Sequence, residues 1–156
     1  MAYLIDGNNL IGHTSNYRLN DIRSKYGLIL KLIRFQKIKK SKITIVFDGT
    51  PDISLDRLNY NPKKFSIIFS ESVSADTKIK EILSTKKYLR DIYVVSSDRE
   101  LIDFVKNKGA KVIKCSDFNK LIRKTFKETK KENSKQEIKL TPLEVKHWSE
   151  VFKRKR

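Results

Sequence analysis

Four aspartates in the sequence occur where strand-like or helix-like segments begin or end. The apolar runs LIDGNN, ITIVFDG and IYVVSSD reach Asp6, Asp48 and Asp98, and the segment SVSAD places Asp76 at the start of a helical pattern. Ligands of parallel sheets bind at the carboxyl edge, near the point where strand order reverses. If the first, second and fourth strands are neighbours, these four carboxylates converge on one crevice.

Four carboxylates in one crevice repel one another, and their pKa values should be raised. A divalent cation relieves the repulsion, and hard oxygen ligands in this number suit Mg²⁺ or Mn²⁺. Such a site activates water and stabilises the leaving oxygen of a phosphodiester. The two histidines, His13 and His147, lie beside no plausible nucleophile in the sequence. The pattern therefore predicts metal-dependent phosphodiester hydrolysis.

Each aspartate also has a structural interpretation. An acid after a strand is often a turn or cap residue, Asp76 would favour a helix N-terminus, and Gly7 and Gly49 permit tight turns. The functional interpretation rests on all four acids falling at the same edge of one sheet.

The elements that must position these acids alternate between strands and helices. The short runs are rich in Val, Ile, Phe and Tyr, as in parallel strands covered on both faces. We expect a three-layer α/β/α sandwich with a mostly parallel central sheet and right-handed crossovers. The predicted strands are Tyr3–Asp6, Ile43–Asp48, Phe65–Phe69, Ile92–Ser96 and Lys111–Lys114. The predicted helices begin after Asp21, at Ala75, after Asp98 and near Asp117.

Four ordered blocks, LIDGNNLIG, VFDG, SAD and SSDREL, resemble the NYN domain in its YacP-like branch, within the PIN-like nuclease superfamily. The resemblance covers roughly residues 1–122 and extends to a helix around Trp148. It implies a PIN-like fold and an endoribonuclease that cleaves RNA with Mg²⁺ or Mn²⁺. Translated or ribosome-associated RNA is a candidate substrate, and the ribosome is a candidate partner.

The resemblance also assigns roles to residues. It implies that Asp6, Asp76 and Asp98 are the metal-binding acids, and that Asn8 holds a metal-bound water or the substrate. Asp48 matches a catalytic acid of the family more loosely. Many members place a further acid directly after the fourth-strand aspartate, where this chain has Arg99 and then Glu100. The position of a second metal is therefore open.

A net charge of +17 favours a polyanionic partner, and nucleic acid leads that class. The loop at residues 49–64 is long enough to be functional. It carries phosphate-binding cations and an aromatic ring for base stacking, although Tyr60 could equally be a local anchor. The predicted RNA-binding residues are Arg18, Arg23, Arg57, Tyr60, Lys63 and Lys64. The lysines between residues 37 and 42 are a second candidate surface.

We expect three parts along the chain. Residues 1–126 form the catalytic domain, 127–140 a basic polar linker or a solvated helical extension, and 141–156 a docking helix with a basic tail. Trp148 should pack onto the domain. One cysteine, Cys115, excludes an internal disulfide and should be a small buried residue. Without a signal peptide or membrane-length apolar run, a cytoplasmic or other reducing compartment is expected. A monomer is favoured.

The main alternative is a noncatalytic RNA- or ribosome-binding PIN-like module. The complete set of four acids argues against it, because a binder gains nothing from negative charge facing phosphates. An aspartyl-phosphate phosphatase would need an acid at position 8, which is Asn8. A dinucleotide-binding enzyme would need a glycine-rich turn after the first strand, which is absent from the sequence.

Overall fold

Five parallel strands form the central sheet. The structure is a computed structural model and describes residues 1–138. The strand order is β3-β2-β1-β4-β5, and every neighbouring pair is parallel. The strands are β1 (Ala2–Asp6), β2 (Lys42–Phe47), β3 (Phe65–Phe69), β4 (Ile92–Val95) and β5 (Lys111–Ile113). The predicted parallel α/β sheet is confirmed, and each strand boundary lies within one residue of its prediction.

Five helices connect and cover the strands. They are α1 (Gly7–Gly12), α2 (Ile22–Lys39), α3 (Ala75–Thr85), α4 (Arg99–Lys108) and α5 (Cys115–Ile138). Four were predicted. In the structure, Asp21 is the N-cap of α2 and Gly109 is the left-handed C-cap of α4. Helix α1 was not predicted, because six residues with a glycine at each end show no helical period.

The alternating side chains of β1 show how the two faces of the sheet are covered. Leu4 lies in an apolar cluster with α3 and α4 residues such as Ile79 and Val105. On the opposite face, the Tyr3 ring packs against the rings of Phe35 of α2 and Phe118 of α5. The distances between ring centres are 5.8 Å and 5.4 Å. Helices therefore cover both faces, as expected for three layers.

Helix α2 buries a broad face that includes a lysine. The apolar residues Ile22, Ile29 and Ile33 recur with helical period; Ile29 and Ile33 are buried, but Ile22 in the first turn is 49% exposed. Leu28, Leu32 and Phe35 are fully buried, and the same face continues through Lys25, which is 4% exposed. Apolar periodicity alone could not predict that a lysine occupies a buried position on this helix.

Strand β1 sits at the topological switch point. The chain passes from β1 to β2 on one side and returns through α3 to β4 on the other. Asp6 pairs in register with Val46, and Ile5 pairs with Val95, so the three central strands end at one edge. The expected adjacency of the first, second and fourth strands is confirmed. Their carboxyl ends flank the crevice in which such folds bind ligands.

The chain divides into two units, Met1–Ile122 and Arg123–Arg156. The first contains the sheet, helices α1–α4 and the start of α5. In the second, residues 123–138 continue α5, so the polar stretch from 127 to 138 is helical. The predicted docking helix with Trp148 and His147 lies outside the described residues, and the three-part division stays a prediction. No helix within residues 1–138 is long and apolar enough to cross a membrane.

Candidate active site

A cavity of about 500 Å³ opens at the carboxyl edge of the sheet. All five residues predicted to be catalytic line it: Asp6, Asn8, Asp48, Asp76 and Asp98. The remaining lining residues are Asn9, Leu19, Asn20, Ser74 and Ala75. The structure thus brings the predicted acids together, as the strand ends indicated.

Three of the acids are held by backbone amides at helix starts. Asp6 Oδ1 accepts from the Asn9 amide at 3.4 Å, and Asp98 Oδ1 accepts from the Leu101 amide at 3.1 Å. Asp48 Oδ1 accepts from the Ala75 amide of α3 at 2.7 Å. The capping and functional interpretations are therefore compatible, because Asp6 and Asp98 cap helices, Asp48 bonds the first amide of α3, and all three carboxylates still line the cavity.

Asp76 is held differently. It lies in the first turn of α3, and its Oδ1 is buried without a hydrogen-bond partner among the described residues. Its Oδ2 lies 3.8 Å from the Lys80 ammonium. A buried carboxylate oxygen without a partner is costly in free energy, and such atoms in folded proteins call for an explanation. A cation in the cavity would supply the missing partner.

The electrostatics of the cavity match the expected repulsion. The pKa of Asp6 is raised from 3.8 to about 6. Burial is the largest cause, the Asn9 hydrogen bond opposes it, and the charges of Asp48, Asp76 and Asp98 add to it. The pKa of Asp76 is also raised, first by burial and then by the charge of Asp98. Asp6 therefore loses its charge well above the pH at which an exposed aspartate does.

The donor set fits a hard divalent cation, since it consists of carboxylate and amide oxygens. The acidic side chains around the cavity are not spaced as a complete metal site. Within residues 1–138, no three His, Cys, Asp or Glu side chains are close enough to hold a metal ion together. The unpartnered Asp76 oxygen and the mutual repulsion of the acids are the features of the cavity that a cation would relieve.

Two asparagines join the strand ends around the cavity. Asn8 Oδ1 accepts from the Asp48 amide at 3.0 Å and so links α1 to the end of β2. Asn9 was not predicted as a site residue. Its Oδ1 accepts from the Ser97 amide at 2.8 Å and from the Cys115 thiol at 3.1 Å. The consecutive amides after Asp6 could have indicated it, because both can bond across neighbouring strand ends.

Cys115 is buried, as predicted. Burial raises the pKa of its thiol to about 11. The thiol is therefore a neutral hydrogen-bond donor at physiological pH and a poor nucleophile.

The long loop after β2 is anchored to α2. The buried Lys25 ammonium donates to Asp52 Oδ2 at 2.5 Å and lies 5.6 Å from the centre of the Phe47 ring. The Tyr26 hydroxyl donates to the Ser54 carbonyl. These contacts hold the first part of the loop beside the end of β2, next to Asp48.

None of the predicted RNA-binding residues lines the cavity, although all except Tyr60 are exposed. Lys63 and Lys64 directly precede β3 at the amino edge of the sheet, where the Lys64 carbonyl accepts from the Ile43 amide. Arg18 directly precedes Leu19 and Asn20, which do line the cavity. The Tyr60 ring packs against Phe65 at 5.5 Å, which favours the local-anchor interpretation of that residue.

Solved structures show the same fold. The crystal structure of Rae1 (YacP) from Bacillus subtilis has a TM-score of 0.75 and 19% identity, covering 99% of this chain and 91% of that chain. A tryptophan-to-leucine mutant of that protein has a TM-score of 0.72 and 19% identity, covering 90% of this chain and 86% of that chain. No curated protein matches the chain. The model of the YacP-like NYN domain matches residues 3–155, and the chain therefore belongs to that family.

Proposed function

We propose that this protein is a divalent-metal-dependent endoribonuclease that hydrolyses RNA phosphodiester bonds in the cavity at the carboxyl edge of the sheet. The observation that carries the proposal is the convergence of four aspartates on that cavity, with a buried Asp76 oxygen unpartnered among the described residues. Membership of the YacP-like NYN family, a family of PIN-like nucleases, supports the same activity.

Asp6, Asp76 and Asp98 are the residues that would hold Mg²⁺ or Mn²⁺. When bound, the cation would activate water and stabilise the leaving oxygen. Asp48 supports Asp76, because its carboxylate bonds the first amide of α3 one residue before Asp76. Asn8 in turn bonds the Asp48 amide. Asp48 and Asn8 thereby hold the metal-binding acids in position. The Asn8 side chain also lines the cavity that would hold the RNA.

The substrate assignment rests on charge. A chain with a net charge of +17 attracts nucleic acid, although its cavity is acidic. Exposed cations beside an acidic centre are the arrangement that a nuclease needs: the cations bind phosphates and the acids bind the metal. Lys25 anchors the first part of the loop next to Asp48, and Lys63 and Lys64 end the loop before β3 at the amino edge of the sheet. We propose that the RNA backbone follows this loop from the cavity past Arg57 to Lys63 and Lys64.

Salt dependence tests this RNA surface. Each phosphate contact to a single strand contributes about −0.7 to the slope of log affinity against log salt. Replacing Arg57, Lys63 and Lys64 together by Ala should therefore flatten the slope by about 2 if each makes one contact. The measurement is RNA affinity of the metal-free protein by fluorescence anisotropy across a salt series, with no cleavage taking place.

A matched control removes the same charge elsewhere. Lys86, Lys87 and Lys106 are exposed at the ends of α3 and α4, which lead to β4 and β5 on the opposite side of β1 from β3. Their replacement by Ala should leave the slope near the wild-type value. A wild-type slope in the loop variant, together with a flatter slope in the control, would move the RNA surface to the side of the sheet that carries β4 and β5.

The activity itself is tested with purified protein on mixed RNAs, including translated and ribosome-bound RNA, with and without Mg²⁺ or Mn²⁺. Cleavage that depends on the cation supports the proposal. RNA or ribosome binding without cleavage under any of these conditions would instead identify a noncatalytic module.

A further inference from the structure

Lys80 connects the site to a neighbouring helix. It lies on α3 one turn after Asp76, and its ammonium is 3.8 Å from Asp76 Oδ2. The same ammonium is 3.2 Å from Glu100 Oε1 at the start of α4. It also lies 5.5 Å from the centre of the Phe104 ring. One cation thus contacts two carboxylates from two helices beside the cavity.

A third acid acts on this ammonium. The pKa of Lys80 is raised, first by its hydrogen bond to Glu100 and then by the charges of Glu100, Asp76 and Asp98. Lys80 in turn lowers the pKa of Asp76, against the effects of burial and of Asp98. Three carboxylates therefore share one positive charge at this side of the site.

Hydrolases with two cations hold them about 3.5–4 Å apart, so that one carboxylate bridges both. Asp76 has the oxygens for such a bridge, but they are in different situations. Oδ1 is buried and lacks a partner among the described residues, whereas Oδ2 faces the Lys80 ammonium. Only Oδ1 remains for a metal ion.

We propose that the Lys80 ammonium takes the place of a second metal ion between Asp76 and Glu100, so that the site binds a single divalent cation. The inference rests on the proposed function in that it requires a first cation to bind. It assigns Lys80 as a positioning residue that neutralises and orients Asp76 through a permanent positive charge.

An ordinary helical ion pair is the alternative that the test must exclude. Lys and Asp four residues apart on a helix attract each other weakly without any role in a site. Lys78 provides the comparison, because it forms such a pair with Glu81 at 3.8 Å on the same helix. Its replacement removes the same charge from α3 without touching Asp76 or Glu100.

The experiment counts Mn²⁺ ions bound to the metal-free full-length protein by isothermal titration calorimetry. The wild type, Lys78→Gln and Lys80→Arg should each bind one Mn²⁺, since each keeps a cation beside Asp76. Lys80→Gln should bind two, because it frees Asp76 Oδ2 and Glu100. Adding Glu100→Gln to Lys80→Gln should return the count to one.

Thermal melting checks that each variant is folded, and Lys80→Met provides a second neutral variant whose unbranched side chain can still cover Phe104. A count of one in both neutral Lys80 variants, whatever their affinity, overturns the inference and leaves the proposed function intact. A count of two in the wild type overturns it as well. A wild type that binds no Mn²⁺ contradicts the proposed function and the inference together.

Discussion

Asp6→Asn should strongly reduce metal-dependent RNA cleavage and, at neutral pH, stabilise the metal-free protein. Asn keeps the size of the side chain and can still cap α1, but it removes a charged ligand. Metal ions contribute several kcal/mol to stabilising the transition state, and each 1.4 kcal/mol is about tenfold in rate. Losing that contribution should lower cleavage by about 10³-fold.

The gain in stability follows from the pKa of Asp6. The pKa is 3.8 for an ordinary aspartate and about 6 in the folded protein. Between these values the folded state binds more protons than the unfolded state, so the free energy of unfolding falls as pH rises from 3.8 to about 6. This shift in the pKa of Asp6 corresponds to about 3 kcal/mol of lost stability at neutral pH. The Asp6→Asn variant avoids the loss because Asn does not ionise.

Thermal melts without metal at pH 4 and pH 7.5 measure this difference. Asp6→Asn should melt above wild type at pH 7.5, and the gap should narrow at pH 4. Asp98→Asn is the matched control: it removes a proposed ligand whose side chain is exposed, so cleavage should fall while stability changes little. Wild-type cleavage by both variants would remove these acids from the active site.

Gly7→Ala should destabilise the protein and disturb the site, because the backbone passes very close to Phe47. A Cβ at Gly7 would lie 2.7 Å from two Phe47 ring atoms and 3.0 Å from the Val46 carbonyl oxygen. Phe47 is fully buried, so its ring has little room to move. Overpacking of this kind costs about 1–3 kcal/mol. Relief of this overpacking would move the backbone at Gly7 and displace its neighbours Asp6 and Asn8.

Gly12→Ala provides a control on the same short helix. Its nearest contacts would be two Leu19 side-chain atoms at 3.9 and 4.0 Å, so the added methyl group fits. Helical Gly-to-Ala changes stabilise by up to about 1 kcal/mol. Urea unfolding of the two variants should therefore give opposite signs. Equal stability of Gly7→Ala and wild type would contradict this prediction, since it would show that the Phe47 ring can move aside for the methyl group.

Much of the site could be predicted because the ends of the strands can be recognised in the sequence. Each apolar run stops abruptly at polar residues, and parallel strands bring those stops to one edge. Asp6, Asp48 and Asp98 follow directly from that rule. Asp76 follows from the helix pattern that begins at Ala75.

Other features depend on contacts between distant segments, which periodicity does not contain. Asn9 acts through bonds to residues 88 and 106 positions later in the chain. Lys80 and Glu100 each look like solvated helix residues until α3 and α4 are placed side by side. Helix α1 was not predicted because its glycines are typical of a turn. In the structure, Gly7 instead allows the backbone to pass close to the Phe47 ring.

The most direct test of the account is anomalous diffraction from crystals of this protein grown with Mn²⁺. The account predicts an anomalous peak at the carboxyl edge of the sheet, contacted by carboxylate oxygens of Asp6, Asp76 and Asp98. A cavity without a peak, in crystals of protein that cleaves RNA only when Mn²⁺ is present, would contradict it.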